Sequence, residues 1–142
     1  MSNNIEKDIK QKVSEYYKTI DNGNINDLDN YINPIVDKWY NKTNLTLSEI
    51  KSQTTEYLKK YPKTRTEIQW ESFKITSLNN DYAVSYKMIY KILSEGKFKN
   101  KVYHLEINAV FNTGKIIVSV GGKQPINLKD ETVISKIVTI NN

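Results

Sequence analysis

The chain has 142 residues, 38% hydrophobic and 26% charged, with a formal net charge of +5. That length fits one domain with a core of its own, and no run of about 18 apolar residues offers a membrane-spanning helix. Cysteine is absent and histidine occurs once, as His104, which excludes disulfides, thiol nucleophiles, iron–sulfur clusters, cysteine zinc sites and multi-histidine metal sites within one chain.

No metal or other cofactor is expected. The first eight residues lack the apolar core of a signal peptide, so a cytoplasmic location is the simple expectation, with a trimmed exported protein as the alternative. The basic balance invites a nucleic-acid or anionic-membrane reading. Arg65 is the only arginine, however, and arginine is the residue such sites favour for bidentate contacts. Nucleic acid and membrane are therefore not expected partners.

In chain order, Ile5, Ile9, Val13, Tyr16 and Ile20 fall on one stripe at helical spacing, with Tyr17 at its edge. They predict a first helix over Ile5 to Asp21, ended by Asn22-Gly23. Asn24 caps a short second helix with Ile25, Leu28, Tyr31 and Ile32 on its apolar side, and Asn33-Pro34 stops it. Ile35 to Tyr40 reads as a short strand and Asn41 to Asn44 as a polar loop. Thr46-Leu47-Ser48-Glu49 is a capping box, in which the threonine hydroxyl and the glutamate side chain satisfy each other's backbone N–H. The helix it opens runs to about Lys60, just before Tyr61-Pro62.

From Thr64 the apolar period changes from 3.6 to 2. A long strand, Thr64 to Leu78, slips its alternation between Ile68/Trp70 and Phe73/Ile75, which predicts a β-bulge near Glu71-Ser72. Asn79-Asn80-Asp81 turns into a strand from Tyr82 to Leu93. Ser94-Glu95-Gly96-Lys97 turns into another, Phe98 to Phe111. That strand puts Leu105, Ile107, Ala109 and Phe111 on one face and His104, Glu106 and Asn108 on the other. Asn112-Thr113-Gly114 leads into a strand from Lys115 to Val120, which Gly121-Gly122 should end. Lys123 to Asp130 reads as a linker and Thr132 to Ile140 as a last strand, added at an edge or exchanged with a partner chain.

The fold class expected is α+β, with N-terminal helices packed on a strongly bent, mostly antiparallel sheet. This order of elements resembles the nuclear transport factor 2-like superfamily, which includes polyketide cyclase-like and ketosteroid isomerase-like proteins. The likeness rests on Tyr16-Tyr17 with Ile20-Asp21-Asn22-Gly23, on Asp27-Leu28 and Tyr31, on Asn33-Pro34-Ile35-Val36 and Trp39, and on Tyr57-Leu58-Lys59-Lys60-Tyr61-Pro62. It covers about Ile5 to Val120. It implies a cone with a pocket at its open end, a domain over residues 1–122 with 123–142 appended, and a homodimer through the outer sheet face. Such a fold hosts many unrelated functions.

Four groups are candidate sites. Asp37 as a general base with Tyr16 or Tyr17 as oxyanion donor would suit proton abstraction beside a carbonyl, the chemistry the resemblance implies. Against that, Tyr16 lies in the core stripe. His104 and Glu106 could pair, but on the face turned away from the helices. Tyr17, Trp39, Tyr57, Tyr61, Trp70, Tyr86, Tyr90 and Tyr103 could line a pocket for a flat apolar ligand, or simply be core. Lys97, Lys99 and Lys101 with Lys87 and Lys91 could attract an anion, or form a solvated sheet end. Asp27 and Asp29, two apart on a helix, do not face each other and make no metal site. The first expectation is a small domain that binds a hydrophobic molecule. An isomerase- or cyclase-type enzyme and a protein-interaction module using the outer sheet face are the alternatives.

Overall fold

A computed structural model describes residues 3–93, 101–112 and 117–123. Its first helix forms because apolar residues recur at helical spacing. α1 spans Asn3–Asp21 and buries Ile9, Val13 and Tyr16, and also Tyr17 at the edge of the stripe. Each such burial contributes on the order of 1.5–3 kcal/mol. The helix stops in a Schellman turn. The Asn24 N–H donates to the Thr19 carbonyl and the Gly23 N–H to the Ile20 carbonyl, both at 2.9 Å. Gly23 sits at φ +75°, where a Cβ is strained.

The expected short helix is a 3₁₀ helix, Ile25–Asn30, with Leu28 buried. β1, Ile35–Trp39, pairs antiparallel with β2, Lys42–Thr46. Here the predicted polar loop over Asn41–Asn44 gives way to strand. Backbone pairing to β1 supplies the order, since Leu45 is the one buried side chain of β2. The ladder omits the pair Asp37/Asn44, and Asn44 stands at φ 54°. Alternation breaks at that point, so that Val36 and Trp39, three residues apart, are both buried.

α2, Leu47–Lys60, opens with the capping box. The Glu49 N–H donates to Thr46 Oγ1 at 3.2 Å, and the Thr46 N–H donates to Glu49 Oε1 at 3.3 Å. Four strands follow: β3 Thr64–Leu78, β4 Asp81–Ile92, β5 Lys101–Phe111 and β6 Ile117–Lys123. The sheet order is β2-β1-β6-β5-β4-β3, antiparallel throughout except where β1 meets β6. The helices pack on one face of this open, bent sheet, the arrangement expected of a cone.

The bulge in β3 is present. Gln69 lies opposite Lys87 and Lys74 opposite Ser85, which leaves residues 70–73 to face Tyr86 alone. Ser72 closes the gap: the Lys87 N–H donates to Ser72 Oγ at 2.8 Å, and the Ser72 hydroxyl donates to the Gln69 carbonyl at 2.5 Å. β6 does not end at Gly121-Gly122. Those glycines pair with Asn108 and Ile107 of β5, because a ladder bonds backbone, whatever the side chain.

On β5 the odd positions Ile107, Ala109 and Phe111 are buried in the core, while Asn108 is exposed. Among the described residues no helix is long and apolar enough to cross a membrane. The expected turns at Ser94–Lys97 and Thr113–Gly114, the strand starts at Phe98 and Lys115, and everything expected over residues 124–142 lie outside the described residues.

Candidate functional site

Between α1, α2 and the inner face of the sheet is a cavity of about 350 Å³. The helical stripe of α1 delivers Tyr16, Tyr17 and Ile20 to it. The end of β1 delivers Trp39 and Tyr40, and α2 delivers Gln53, Thr54 and Tyr57. The sheet closes it with Thr66, Met88, Tyr90 and Leu105. No carboxylate, imidazole or ammonium is among these groups.

Tyr40 is held there at a backbone cost. It stands at φ 56°, a region that costs a bulky L-residue about 1–2 kcal/mol. Its N–H donates to the Val120 carbonyl at 2.7 Å, which ties the strained residue to β6.

The phenols are bonded in pairs. Tyr17 and Tyr86 share a hydrogen bond of 2.7 Å between α1 and β4. Tyr57 and Tyr90 share one of 2.8 Å between α2 and β4. The Tyr16 hydroxyl differs: it is buried and makes no hydrogen bond of good geometry among the described residues, although the Tyr40 hydroxyl lies near enough that hydrogen bonding between the two phenols affects the ionisation of both. A buried hydroxyl left without a partner costs about 1–3 kcal/mol. Tyr16 also meets Trp39 edge-on, with ring centroids 6.5 Å apart.

These groups are neutral phenols at physiological pH, and burial moves them further from ionisation. Loss of water around the ring pushes Tyr16 and Tyr17 well above the ordinary tyrosine range, with nearby phenols adding to the shift. Burial likewise pushes Tyr40 up to about 12 and raises Tyr86 and Tyr90. The cavity therefore offers hydrogen-bond donors and aromatic faces, not a base. At its margin, the Asp21 carboxylate accepts from the Thr64 hydroxyl at 2.7 Å and the Thr66 N–H at 2.9 Å. It fixes the end of α1 to β3.

Of the aromatic set expected to line a pocket, Tyr17, Trp39, Tyr57 and Tyr90 border this cavity, as does Tyr16. The others lie around it. Tyr86 sits below, bonded to Tyr17 and stacked on Phe73 at 6.1 Å. Trp70 belongs to the bulge, packed on Phe73 at 5.9 Å and 36% exposed. Tyr61 packs on Tyr57 at 5.1 Å. Tyr103, opposite Tyr90 on β5, is half-buried and outside the lining.

Asp37 stands apart from the cavity. It is exposed and does not border the cavity, so the expected pairing of Asp37 with Tyr16 or Tyr17 is not formed. The cause is the break in β1, which turns Val36 and Trp39 inward and leaves Asp37 in water.

His104 and Glu106 stand on the outer-face positions of β5, opposite Ile89 and Lys87, where alternation put them. Lys91 pairs with Glu67 at 2.9 Å and Lys101 is exposed; Lys97 and Lys99 lie outside the described residues. Asp27 is exposed and Asp29 pairs with Lys51. Among the described residues no group of histidine and carboxylate side chains is placed to hold a metal ion.

The sequence reading missed Tyr40, Gln53, Thr54 and Thr66 as cavity residues. Tyr40 looked like the last residue of a strand. Nothing in the sequence marks its left-handed backbone, which places the ring.

No family model matches the chain, and no curated protein does. Solved structures do match. A nuclear transport factor 2-like superfamily protein from Salmonella enterica serovar Typhimurium superposes with a TM-score of 0.74 at 12% identity, over 89% of this chain and 95% of that one. A candidate polyketide cyclase from Acidithiobacillus ferrooxidans gives 0.60 at 13% identity, over 91% and 93%. A candidate dehydratase of the same fold from Streptomyces avermitilis gives 0.66 at 9% identity, over 85% and 98%. Identities this low establish a shared fold and carry no residue-by-residue roles.

Proposed function

We propose that this chain, which has the cone fold of the nuclear transport factor 2-like superfamily, binds a small, flat, apolar molecule bearing a hydrogen-bond acceptor. The unpartnered Tyr16 hydroxyl carries this reading. It is a neutral donor whose oxygen has almost no surface open to solvent, at the wall of an aromatic cavity, and a ligand oxygen reaches it where the Tyr16 and Tyr40 side chains part. The volume of about 350 Å³ falls in the lower part of the range for small-molecule sites. Aromatic walls favour a planar ligand. Proton abstraction by Asp37 has no support, because that carboxylate is exposed and away from the cavity. The similar structures include a candidate cyclase and a candidate dehydratase, so the fold accommodates organic substrates in other chains.

Tryptophan emission tests the site. Trp39 and Trp70 are the only tryptophans, and Trp39 borders the cavity. In a Trp70→Phe variant, α-tetralone, a flat bicyclic ketone, should change Trp39 emission saturably. In Trp39→Phe, the remaining Trp70 signal should show no saturable change. An unsaturable response in both variants would sink the proposal.

A further inference from the structure

The opposite face of the sheet carries a second concavity, of about 460 Å³. Strand register explains its floor. One row across the sheet runs Thr76, Ala83, Val110, Ser119, Lys38 from β3 to β1, and the adjacent row runs Lys74, Ser85, Asn108, Gly121 from β3 to β6. Small side chains in the centre make a trough, and a lysine stands at each end.

Lys38 is laid down into this trough, not extended away from it. A Cβ at Gly121 would come within 3.3 Å of Lys38 Cε and 3.5 Å of its Nζ. The glycine is the space in which the lysine lies. Neither Lys38 nor Lys74 has a carboxylate partner among the described residues, in contrast to Lys10, Lys51, Lys59 and Lys91. Between them, the side chains of Ser85, Asn108 and Ser119 border the trough with hydrogen-bonding capacity that no described group takes up. The acidic groups on this face stand beyond the floor. Glu106 lies two residues before Asn108 and opposite Lys87, and Asp81 lies two residues before Ala83. Glu67 pairs with Lys91, and Asp37, next to Lys38, is exposed and does not border the trough.

We propose that this trough is a binding site for an elongated anion, with negative groups toward its two ends and hydrogen-bond acceptors between. The two lysines sit four strands apart, roughly 19 Å along the backbone at about 4.8 Å per strand spacing. Their side chains reach inward, and the sheet's bend shortens the gap. A compact anion meets one ammonium at a time, whereas a chain-like one meets both and the hydroxyls between. Phosphate and carboxylate ends share this chemistry.

The test is an NMR titration of the full chain with inorganic tripolyphosphate, orthophosphate and adipate. Tripolyphosphate should shift the Gly121, Ser119 and Asn108 amides and bind at least tenfold more tightly than orthophosphate. Adipate binding as tightly would identify a carboxylate site, and adipate binding far more weakly a phosphate site; both keep the elongated anion. Lys38→Gln and Lys74→Gln should each weaken binding by about five- to tenfold without moving Tm, because both lysines are exposed. A Lys60→Gln control, on α2, should bind as the parent does. The proposal is overturned if the double Lys38/Lys74 variant binds unchanged. It is also overturned if shifts scatter over all lysine-bearing segments, or if Gly121 responds to protein concentration and not to anion, the sign of a second copy covering this face.

Discussion

Three neighbouring tyrosines have three different jobs, and their hydroxyls decide which. Tyr17 spends its hydroxyl on Tyr86, which makes it a tie between helix and sheet. Tyr17→Phe should cost about 1–3 kcal/mol, because Tyr86 is left buried and unpaired; chemical denaturation of the variant measures it, and an unchanged midpoint would contradict the bond's role. Tyr40 reaches the cavity through a left-handed backbone. Tyr40→Gly should relieve that strain but lose the burial of the ring, a net loss of stability read by chemical denaturation, and, with an aromatic wall removed, should bind apolar ligands more weakly. Tyr16 has no hydrogen bond of good geometry to lose, with the Tyr40 hydroxyl close by. The sequence showed all three as aromatic residues near a helix or strand end. It could not show which hydroxyls pair, because Tyr17 and Tyr86 are brought together by packing across 69 positions.

At the level of elements, the bulge in β3 was legible and its fastener was not. A change in alternation between Trp70 and Phe73 announces extra residues, since one added residue flips every later side chain to the other face. That Ser72 replaces the missing ladder bond is a matter of geometry. Ser72→Ala removes the acceptor for the Lys87 N–H and the donor to the Gln69 carbonyl. We expect a loss of about 1 kcal/mol, with faster hydrogen exchange at the Lys87 amide. Unaltered exchange there would mean that the serine does not hold the bulge. The capping box on α2 was readable because its partners are three residues apart. β2 was not, because its order comes from pairing with β1 and its sequence is polar. The same pairing carries the break at Asp37 that takes this carboxylate out of the site, and no residue type signals it.

Across the whole molecule, the buried phenols form a connected layer, and their ionisation links stability to alkaline pH. An unfolded tyrosine loses its proton near pH 10, whereas burial holds Tyr40 protonated to about 12 and Tyr16, Tyr17, Tyr86 and Tyr90 higher than normal. Below about pH 10 both states keep these protons, and the layer adds no pH dependence. Above it the unfolded chain releases protons that the native chain retains, so stability falls as pH rises through the native values. Tm should be level from about pH 7 to 9 in this respect and drop steeply beyond about pH 10. Tyrosinate absorbance from the buried rings should appear together with unfolding. Titration of these rings near pH 10 in a chain that stays folded would contradict the layer's burial.

The order of helices and strands, and with it the cone, could be read from periodicity and caps. The division of the sheet into a tyrosine-lined inner face and a lysine-flanked outer face needed the register. A molecule built this way sets stability against binding at one atom, since the Tyr16 hydroxyl is a cost in the empty cavity and a donor in the filled one. The direct test is Tyr16→Phe, with its thermal unfolding measured beside calorimetric titration of α-tetralone and of tetralin, which lacks the ketone. The predicted result is an equal or higher Tm, about tenfold weaker binding of the ketone (about 1.4 kcal/mol), and unchanged binding of the hydrocarbon. A lower Tm with equal loss of affinity for both molecules would show that Tyr16 is only core, and would contradict the account.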